Sequence, residues 1–144
     1  SKLFSMAGCR LGYVVGHPDE IKMVQKLCTP HNTNAFAMLV AQKILETPGI
    51  LSSLIEDYTL GRDYLIKELN SHKYLHKGDA GNFIFIKPKT NALTIVEKMK
   101  SQKQILIKSY SNVGNFGTCL RVTIGAKQYM ERFLDALFEL DNTN

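Results

Sequence analysis

Two cationic side chains at the start of the chain, Lys2 and Arg10, have the chemistry to hold and react with one small ligand. A lysine amine becomes a nucleophile where a neighbouring cation and partial burial lower its pKa. The parallel N–H donors of a guanidinium suit a doubly charged anion such as phosphate. Eight residues of extended chain span about 26 Å, so both groups can reach one ligand only if the segment folds back. Met6-Ala7-Gly8 permits such a turn.

A third cation, Arg121, lies in the segment CLRVTIG, which predicts a β-strand. Side chains alternate between the two faces of a strand. One face carries Leu120, Val122 and Ile124, and the other carries Cys119, Arg121 and Thr123. We expect the apolar face to pack on helices, which leaves Arg121 on the opposite face. It is placed there either to bind an anion or to form a cross-strand salt bridge.

The elements that must position these residues change character near residue 71. Before it, a short strand over Leu11–Val15 is followed by helical segments, the last of which runs from Ile50 to Ser71 with Gly61 in its interior. A glycine there costs about 1 kcal/mol relative to alanine, so we expect packing on that face to offset it. The lone strand has no sheet to join, and we expect its partners to come from residues outside this chain.

After residue 71 the sequence predicts strands in NFIFIK, QILIKSY and CLRVTIG, a helix over residues 93–100, a loop SNVGNFGT, and a final helix AKQYMERFLDALFEL. The predicted fold class is therefore α/β with a small α+β domain, in which helices pack on a small mixed or antiparallel sheet. The boundary divides the chain into residues 1–71 and 72–144.

Composition excludes several classes of function. The chain has 144 residues, 44% hydrophobic and 22% charged, as in an ordinary globular protein. Its net charge of +5 comes from scattered basic residues, which argues against nucleic-acid binding. Three widely spaced cysteines indicate reduced thiols and a cytoplasmic protein. The four histidines lack metal-ligand spacing and are interpreted as surface residues, and no apolar run is long enough to span a membrane.

The segment SKLFSMAGCRLGY resembles the cofactor attachment segment of class I/II, fold-type I aminotransferases that use pyridoxal phosphate. That pattern is Ser-Lys, a small-residue loop ending in Ala-Gly, and then Arg-hydrophobic-Gly one residue later. PHNTN, GNFIFI and LRVTIG are similar to later landmarks of the family, so the resemblance covers essentially the whole chain. Within the family it is greatest to the histidinol-phosphate aminotransferase branch.

The resemblance implies roles for individual residues. Lys2 corresponds to the lysine that bonds to the cofactor aldehyde and acts as general base. Arg10 and Ser1 correspond to residues that contact the cofactor phosphate, and Arg121 to the arginine that pairs with the substrate's anionic group. Asn82 matches an asparagine that could lie near the substrate, although an asparagine before a strand also suits a turn.

Lys108 departs from the family pattern. The histidinol-phosphate branch commonly has an arginine at this position, thirteen residues before the one that corresponds to Arg121. Lysine keeps the positive charge but lacks the planar fork, which puts the substrate of that branch in doubt.

The resemblance implies that this chain is the C-terminal part of a longer, homodimeric enzyme that transfers an amino group between an amino donor and a 2-oxo acid or related carbonyl compound. Two alternatives stay open. One is decarboxylation of a phosphorylated amino acid on the same scaffold. The other is a non-catalytic interaction domain that retains the family landmarks.

Overall fold

The computed structural model describes residues 4, 6–29, 33–78 and 81–141. The helices are α1 (Pro18–Gln25), α2 (Ala35–Glu46), α3 (Ile50–Ser71), α4 (Ala92–Lys103) and α5 (Lys127–Asp141), and the strands are β1 (Leu75–Lys77), β2 (Phe83–Lys87), β3 (Lys108–Tyr110) and β4 (Cys119–Thr123). Single turns of 3-10 helix span Ala7–Cys9 and Gly114–Phe116. Contacts divide the chain into two compact units, residues 1–54 and 55–144. The domain boundary near residue 71 stays a prediction for the whole protein.

Side-chain caps fix where three helices begin. The Asn34 side chain accepts a hydrogen bond from the Ala37 amide at 3.1 Å, and the Asn91 side chain accepts from the second and third amides of α4. These bonds satisfy amides that have no partner within a helix. His17 caps α1 ahead of Pro18 in the same way. The asparagines of HNTN predict an N-cap for this helix between Asn32 and Asn34, and Asn34 is the cap, whereas Asn32 lies outside the described residues.

The second unit contains a four-stranded antiparallel sheet in the order β1-β2-β4-β3. Inward-facing residues of β2 and β4 are buried against α3, α4 and α5 in one core. Its fully buried members include Leu65, Leu69, Ile84, Ile86, Ile95, Met99, Leu120, Leu134 and Leu137. This arrangement confirms the predicted helices on one face of a small sheet, and it makes the sheet antiparallel.

Two strand predictions differ from the structure. Strand β1 was not predicted, because its three residues Leu75–Lys77 carry no β-branched or aromatic side chain. The strand predicted in QILIKSY is shorter than expected and begins only at Lys108. Gln104 adopts a left-handed conformation that ends α4, so the residues before Lys108 connect the helix to the sheet.

The strand predicted over Leu11–Val15 finds no partner among the described residues, and since its partners are expected outside this chain, it stays a prediction. These residues form no ladder, and Tyr13 and Val15 are 91% and 85% exposed. A strand is defined by hydrogen bonds to a neighbouring strand, and no described residue supplies one here. Among the residues that the structure describes, no helix is long and apolar enough to cross a membrane.

Gly61 lies where α3 approaches the loop between β4 and α5. A Cβ atom at this position would be 1.9 Å from the carbonyl oxygen of Gly125. The glycine therefore permits a backbone contact that no other residue allows, which confirms the expectation that packing offsets its cost in the helix.

Candidate functional site

The start of the chain contains the turn expected between the two predicted cofactor ligands. The Cys9 amide donates to the Met6 carbonyl at 3.1 Å, and the Arg10 amide donates to the Ala7 carbonyl at 3.4 Å. A 3-10 turn rises about 2.0 Å per residue, so it shortens the path relative to extended chain. The predicted turn is confirmed. Ser1 and Lys2 lie outside the described residues, and their roles stay predictions.

Arg10 follows this turn with a left-handed backbone, at φ +53°. A residue other than glycine pays about 1 kcal/mol or more for this conformation, which commonly marks a functional position. The side chain is exposed and makes no hydrogen bond or ion pair with described residues. Its fork is therefore available to an anion.

These residues fit pyridoxal phosphate. A primary amine, a hydroxyl and a guanidinium match an aldehyde and a phosphate in type. The backbone around the turn is also open, because a Cβ atom added at Gly8 or Gly12 would meet no atom within 4 Å. Lys2, Ser1 and Arg10 stay its predicted ligands.

Arg121 and Lys108 lie directly opposite each other on β4 and β3. Residue types alternate along β4, so Arg121 projects from the sheet face that the helices leave open, as predicted. On its other side Arg121 lies opposite Phe85 of β2. The structure thus brings together two of the three predicted substrate-binding residues, which are thirteen positions apart in sequence.

The Arg121 guanidinium lies over the ring of Phe83, with its carbon 4.1 Å from the ring centroid. Phe83 lies one pleat along β2, diagonal to Arg121 across the strands. With the described residues Arg121 makes neither a hydrogen bond nor an ion pair. The alternative interpretation of Arg121 as a cross-strand salt bridge is therefore wrong, since the residue opposite is a lysine.

The open face gathers cations that are scattered in the sequence. One cross-strand row runs from Lys77 through Phe85 and Arg121 to Lys108, and Lys87 lies in the next row. None of the strand residues on this face is acidic. Like charges placed directly opposite each other destabilise a sheet by up to about 1 kcal/mol. A bound anion would relieve this repulsion, which makes the face a candidate anion site.

Three aromatic rings follow the same face. Phe83 contacts Phe85 edge to face with centroids 5.3 Å apart, and Phe85 contacts Tyr110 in the same manner at 6.1 Å. Residue type and spacing alone do not mark these three as site residues. Alternation in NFIFIK places Phe83 and Phe85 on one face, but their position beside Arg121 depends on a strand order that the sequence does not specify.

Asn82 has a backbone role in the structure. Its carbonyl accepts a hydrogen bond from the Ile124 amide at 3.0 Å, which extends the pairing of β2 with β4 by one residue. The side chain is exposed and makes no hydrogen bond with described residues. The structure does not bring it into contact with Arg121 or Lys108, and its place near a substrate stays a prediction.

Two other groups near the sheet have environments that the local sequence does not reveal. Cys119 is the first residue of β4, and burial raises the pKa of its thiol. His76 is partly buried on the edge strand β1, with Nε2 3.0 Å from the Asn70 side-chain oxygen. His17 and His72 are exposed as expected, and His31 lies outside the described ranges. The described part of the chain contains no cluster of metal ligands.

Asp141 anchors the loop that follows β2. Its buried carboxylate accepts hydrogen bonds from the Lys89 amide at 2.8 Å and from the Thr90 amide and hydroxyl at 2.8 and 2.6 Å. Burial and this carboxylate raise the pKa of the neighbouring Tyr74. The loop borders a pocket lined by Lys87, Thr90, Asn91, Ser109 and Thr118 at the end of the sheet.

Known proteins give independent information about this arrangement. A histidinol-phosphate aminotransferase from Moorella thermoacetica is 29% identical over 140 residues, which cover 97% of this chain and 36% of the relative. The chain thus spans little more than a third of that relative's length.

Solved structures share the fold. A protein from Erwinia carotovora atroseptica, assigned as a histidinol-phosphate aminotransferase, has a TM-score of 0.82 at 24% identity and matches 96% of this chain and 39% of its own. L-threonine-O-3-phosphate decarboxylase from Porphyromonas gingivalis has a TM-score of 0.72 at 22% identity, and the match covers 95% of this chain and 43% of that one.

The family model described as aminotransferase class I and II matches residues 1–137. This match covers nearly all of the sequence, including the lysine segment, the turn at Ala7–Cys9 and the sheet that carries Arg121. The chain belongs to the class I and II aminotransferase family.

Proposed function

We propose that this chain is the C-terminal part of a pyridoxal-phosphate-dependent aminotransferase. The whole enzyme transfers an amino group between an amino donor and a 2-oxo acid or related carbonyl compound, and it is similar to histidinol-phosphate aminotransferase. The observation that carries the proposal is the pairing of Arg121 with Lys108 on an acid-free sheet face, in a chain that matches the family over residues 1–137.

Each candidate residue has one task in this reaction. The Arg10 guanidinium and the Ser1 hydroxyl hold the cofactor phosphate, and the Lys2 amine tethers the cofactor and moves a proton at the substrate's α carbon. When bound, pyridoxal phosphate withdraws electrons from that carbon and makes its proton removable. Arg121 binds the substrate's anionic group through two N–H donors and thereby positions the reacting amine.

Lys108 and Asn82 influence which substrate is accepted. Lys108 adds a second cation opposite Arg121 and favours substrates with more negative charge, but its ammonium is a point charge without planar geometry. The exposed Asn82 offers one donor and one acceptor at the end of β2.

The whole protein is proposed to be a cytoplasmic homodimer with residues 1–71 in or next to its large domain and residues 72–144 as its small domain. The exposed apolar side chains of helix α2 support the proposal that this helix is buried against other protein in the whole enzyme. Its apolar side chains are exposed on more than one side of the helix, as Phe36 at 81%, Leu39 at 65% and Leu45 at 68% show. A helix that is apolar all round is buried in the complete protein.

Substitution of Arg121 by lysine tests the substrate role. Lysine keeps the charge but loses one of two charge-assisted hydrogen bonds, each of which contributes about 1.5–3 kcal/mol. We expect kcat/KM to fall roughly ten- to a hundredfold while cofactor attachment is unchanged. The measurement is kcat/KM of the full-length enzyme for a panel of amines and 2-oxo acids. An unchanged panel would remove Arg121 from the site.

Lys108→Arg tests the substrate class on the same panel. The added fork is expected to raise relative activity toward phosphate-bearing amines, histidinol phosphate among them. The fold alone does not separate transamination from decarboxylation, because the decarboxylase shares it. Release of carbon dioxide from a phosphorylated amino acid, without amino transfer, would favour the decarboxylase alternative. Absence of both reactions in a cofactor-loaded protein would favour the interaction domain.

A further inference from the structure

The contact between Phe83 and Arg121 carries an inference that rests on the proposed role of Arg121 in substrate binding. We propose that Phe83 is a positioning residue, which holds the Arg121 guanidinium flat against its ring so that the N–H edge faces the substrate anion. The sequence pattern indicates only that Phe83 is an apolar residue of a strand.

The geometry leaves the guanidinium donors free. A guanidinium stacks through its flat face, whereas its five N–H groups lie in its plane and point outward. The guanidinium carbon lies over the Phe83 ring, 4.1 Å from its centroid. In the parallel arrangement that we propose, the ring occupies one face of the guanidinium and blocks none of the donors in its plane. Stacking therefore restricts the orientation of Arg121 without using its hydrogen-bonding capacity.

The described residues offer Arg121 no other fixed partner. Its strand neighbours are Lys108, which repels it, and Phe85, and it forms no ion pair. A free arginine side chain loses rotamer entropy when a bound ligand fixes it. Phe83 removes part of that loss before the substrate arrives, as pre-organisation does in general.

Phe83 is itself held by its neighbours. Its ring meets Phe85 at 75°, and Phe85 meets Tyr110 at 78°, so the three rings form a continuous edge-to-face array across β2 and β3. Such contacts fix ring orientation in addition to burying area. The ring under Arg121 is therefore held by Phe85, which is itself held by Tyr110 of the edge strand β3.

The test compares Phe83→Leu with Phe83→Tyr in the full-length, cofactor-loaded enzyme. Leucine keeps apolar volume but removes the ring face, and tyrosine keeps the face. We expect Phe83→Leu to raise the Kd for inorganic phosphate and for acetate by about three- to tenfold, the range of a partly desolvated cation–π contact. Phe83→Tyr is expected to bind as the wild type does. Phe85→Leu should have a smaller effect, because Phe85 contacts the Phe83 ring but does not itself lie under the guanidinium. Tyr129→Leu is the matched control, because it removes an exposed aromatic ring of α5 and should leave both Kd values unchanged.

A double-mutant cycle separates positioning from a general structural effect. In an Arg121→Ala background, Phe83→Leu should change anion affinity by less than about twofold, since the group on which Phe83 acts is gone. The ring current gives a second readout. The Arg121 side-chain proton resonances should lie upfield in the wild type and in Phe83→Tyr, and return to ordinary positions in Phe83→Leu.

The outcomes distinguish this inference from the proposed function. If Arg121→Ala leaves phosphate and acetate binding intact, the substrate role of Arg121 is wrong and the inference falls with it. If Arg121→Ala weakens binding but Phe83→Leu does not, only the inference is overturned. An equal loss from Phe83→Leu in both backgrounds would also overturn it, because the effect would then not pass through Arg121.

Discussion

Replacement of Gly61 by alanine has an outcome whose sign the structure decides. In an exposed helix the change would stabilise the protein by about 1 kcal/mol, because alanine has the higher helix propensity. Here the new Cβ atom would lie 1.9 Å from the Gly125 oxygen, whereas real Cβ contacts stay beyond 3.0 Å. Helix α3 or the loop before α5 must therefore move by more than an ångström.

The magnitude follows from the balance of these two effects. Overpacking of this severity, against the backbone of Gly125 and Ala126, costs about 3 kcal/mol. Subtraction of the propensity gain of about 1 kcal/mol leaves a net destabilisation of about 2 kcal/mol. Amides near the contact then exchange with solvent about thirtyfold faster if their protection reports local opening.

The assay is hydrogen–deuterium exchange on the full-length protein, followed in peptides that contain Gly61 and Gly125. Gly81→Ala is the matched control, because a Cβ atom at Gly81 would meet its nearest neighbour at an ordinary 3.9 Å. It should change exchange in the same peptides by less than about twofold. Slower exchange in Gly61→Ala would show that helix propensity dominates, and would refute the close approach of α3 to this loop.

Three further predictions follow from buried or capping groups. In a urea titration, Asp141→Ala should lower the free energy of unfolding by about 3 kcal/mol, because it leaves two amides and a hydroxyl unpaired. The control Glu139→Ala, on the exposed side of α5, should lower it by less than about 1 kcal/mol. Cys119 should react with iodoacetamide at pH 8 only as fast as the protein unfolds, because burial raises its pKa and keeps the thiol protonated; rapid native-state labelling would contradict its burial. Asn34→Ala should destabilise the start of α2 by about 1 kcal/mol, and Asn34→Ser should restore most of it, as exchange at the Ala37 amide would show.

The sequence predicted the elements whose periodicity is strong. The helices α3 and α5, the strands β2 and β4, and the outward position of Arg121 all follow from spacing of apolar residues, which the local chain determines. Strand β1 was missed because LHK has no β signal of its own and pairs only because β2 lies beside it. The strand predicted over Leu11–Val15 is the converse case: β-forming residues need a neighbouring strand to form a ladder, and its partners are expected outside this chain, so it stays a prediction.

The candidate site was predictable residue by residue but not as an arrangement. The turn before Arg10 and the face of Arg121 could be inferred from local pattern. The pairing of Lys108 with Arg121 and the support from Phe83 required the order β1-β2-β4-β3, which depends on packing of the whole unit. For the same reason, basic residues that look scattered in the sequence share one sheet face.

Reduction of the full-length protein with borohydride, followed by peptide mapping, tests the central claim most directly. Borohydride converts the bond between a lysine amine and the cofactor aldehyde into a stable link that survives digestion. The proposed function predicts that the modified peptide carries pyridoxal phosphate on Lys2, and that Lys2→Ala abolishes the modification. Cofactor on another lysine, or none at all in protein incubated with pyridoxal phosphate, would contradict it.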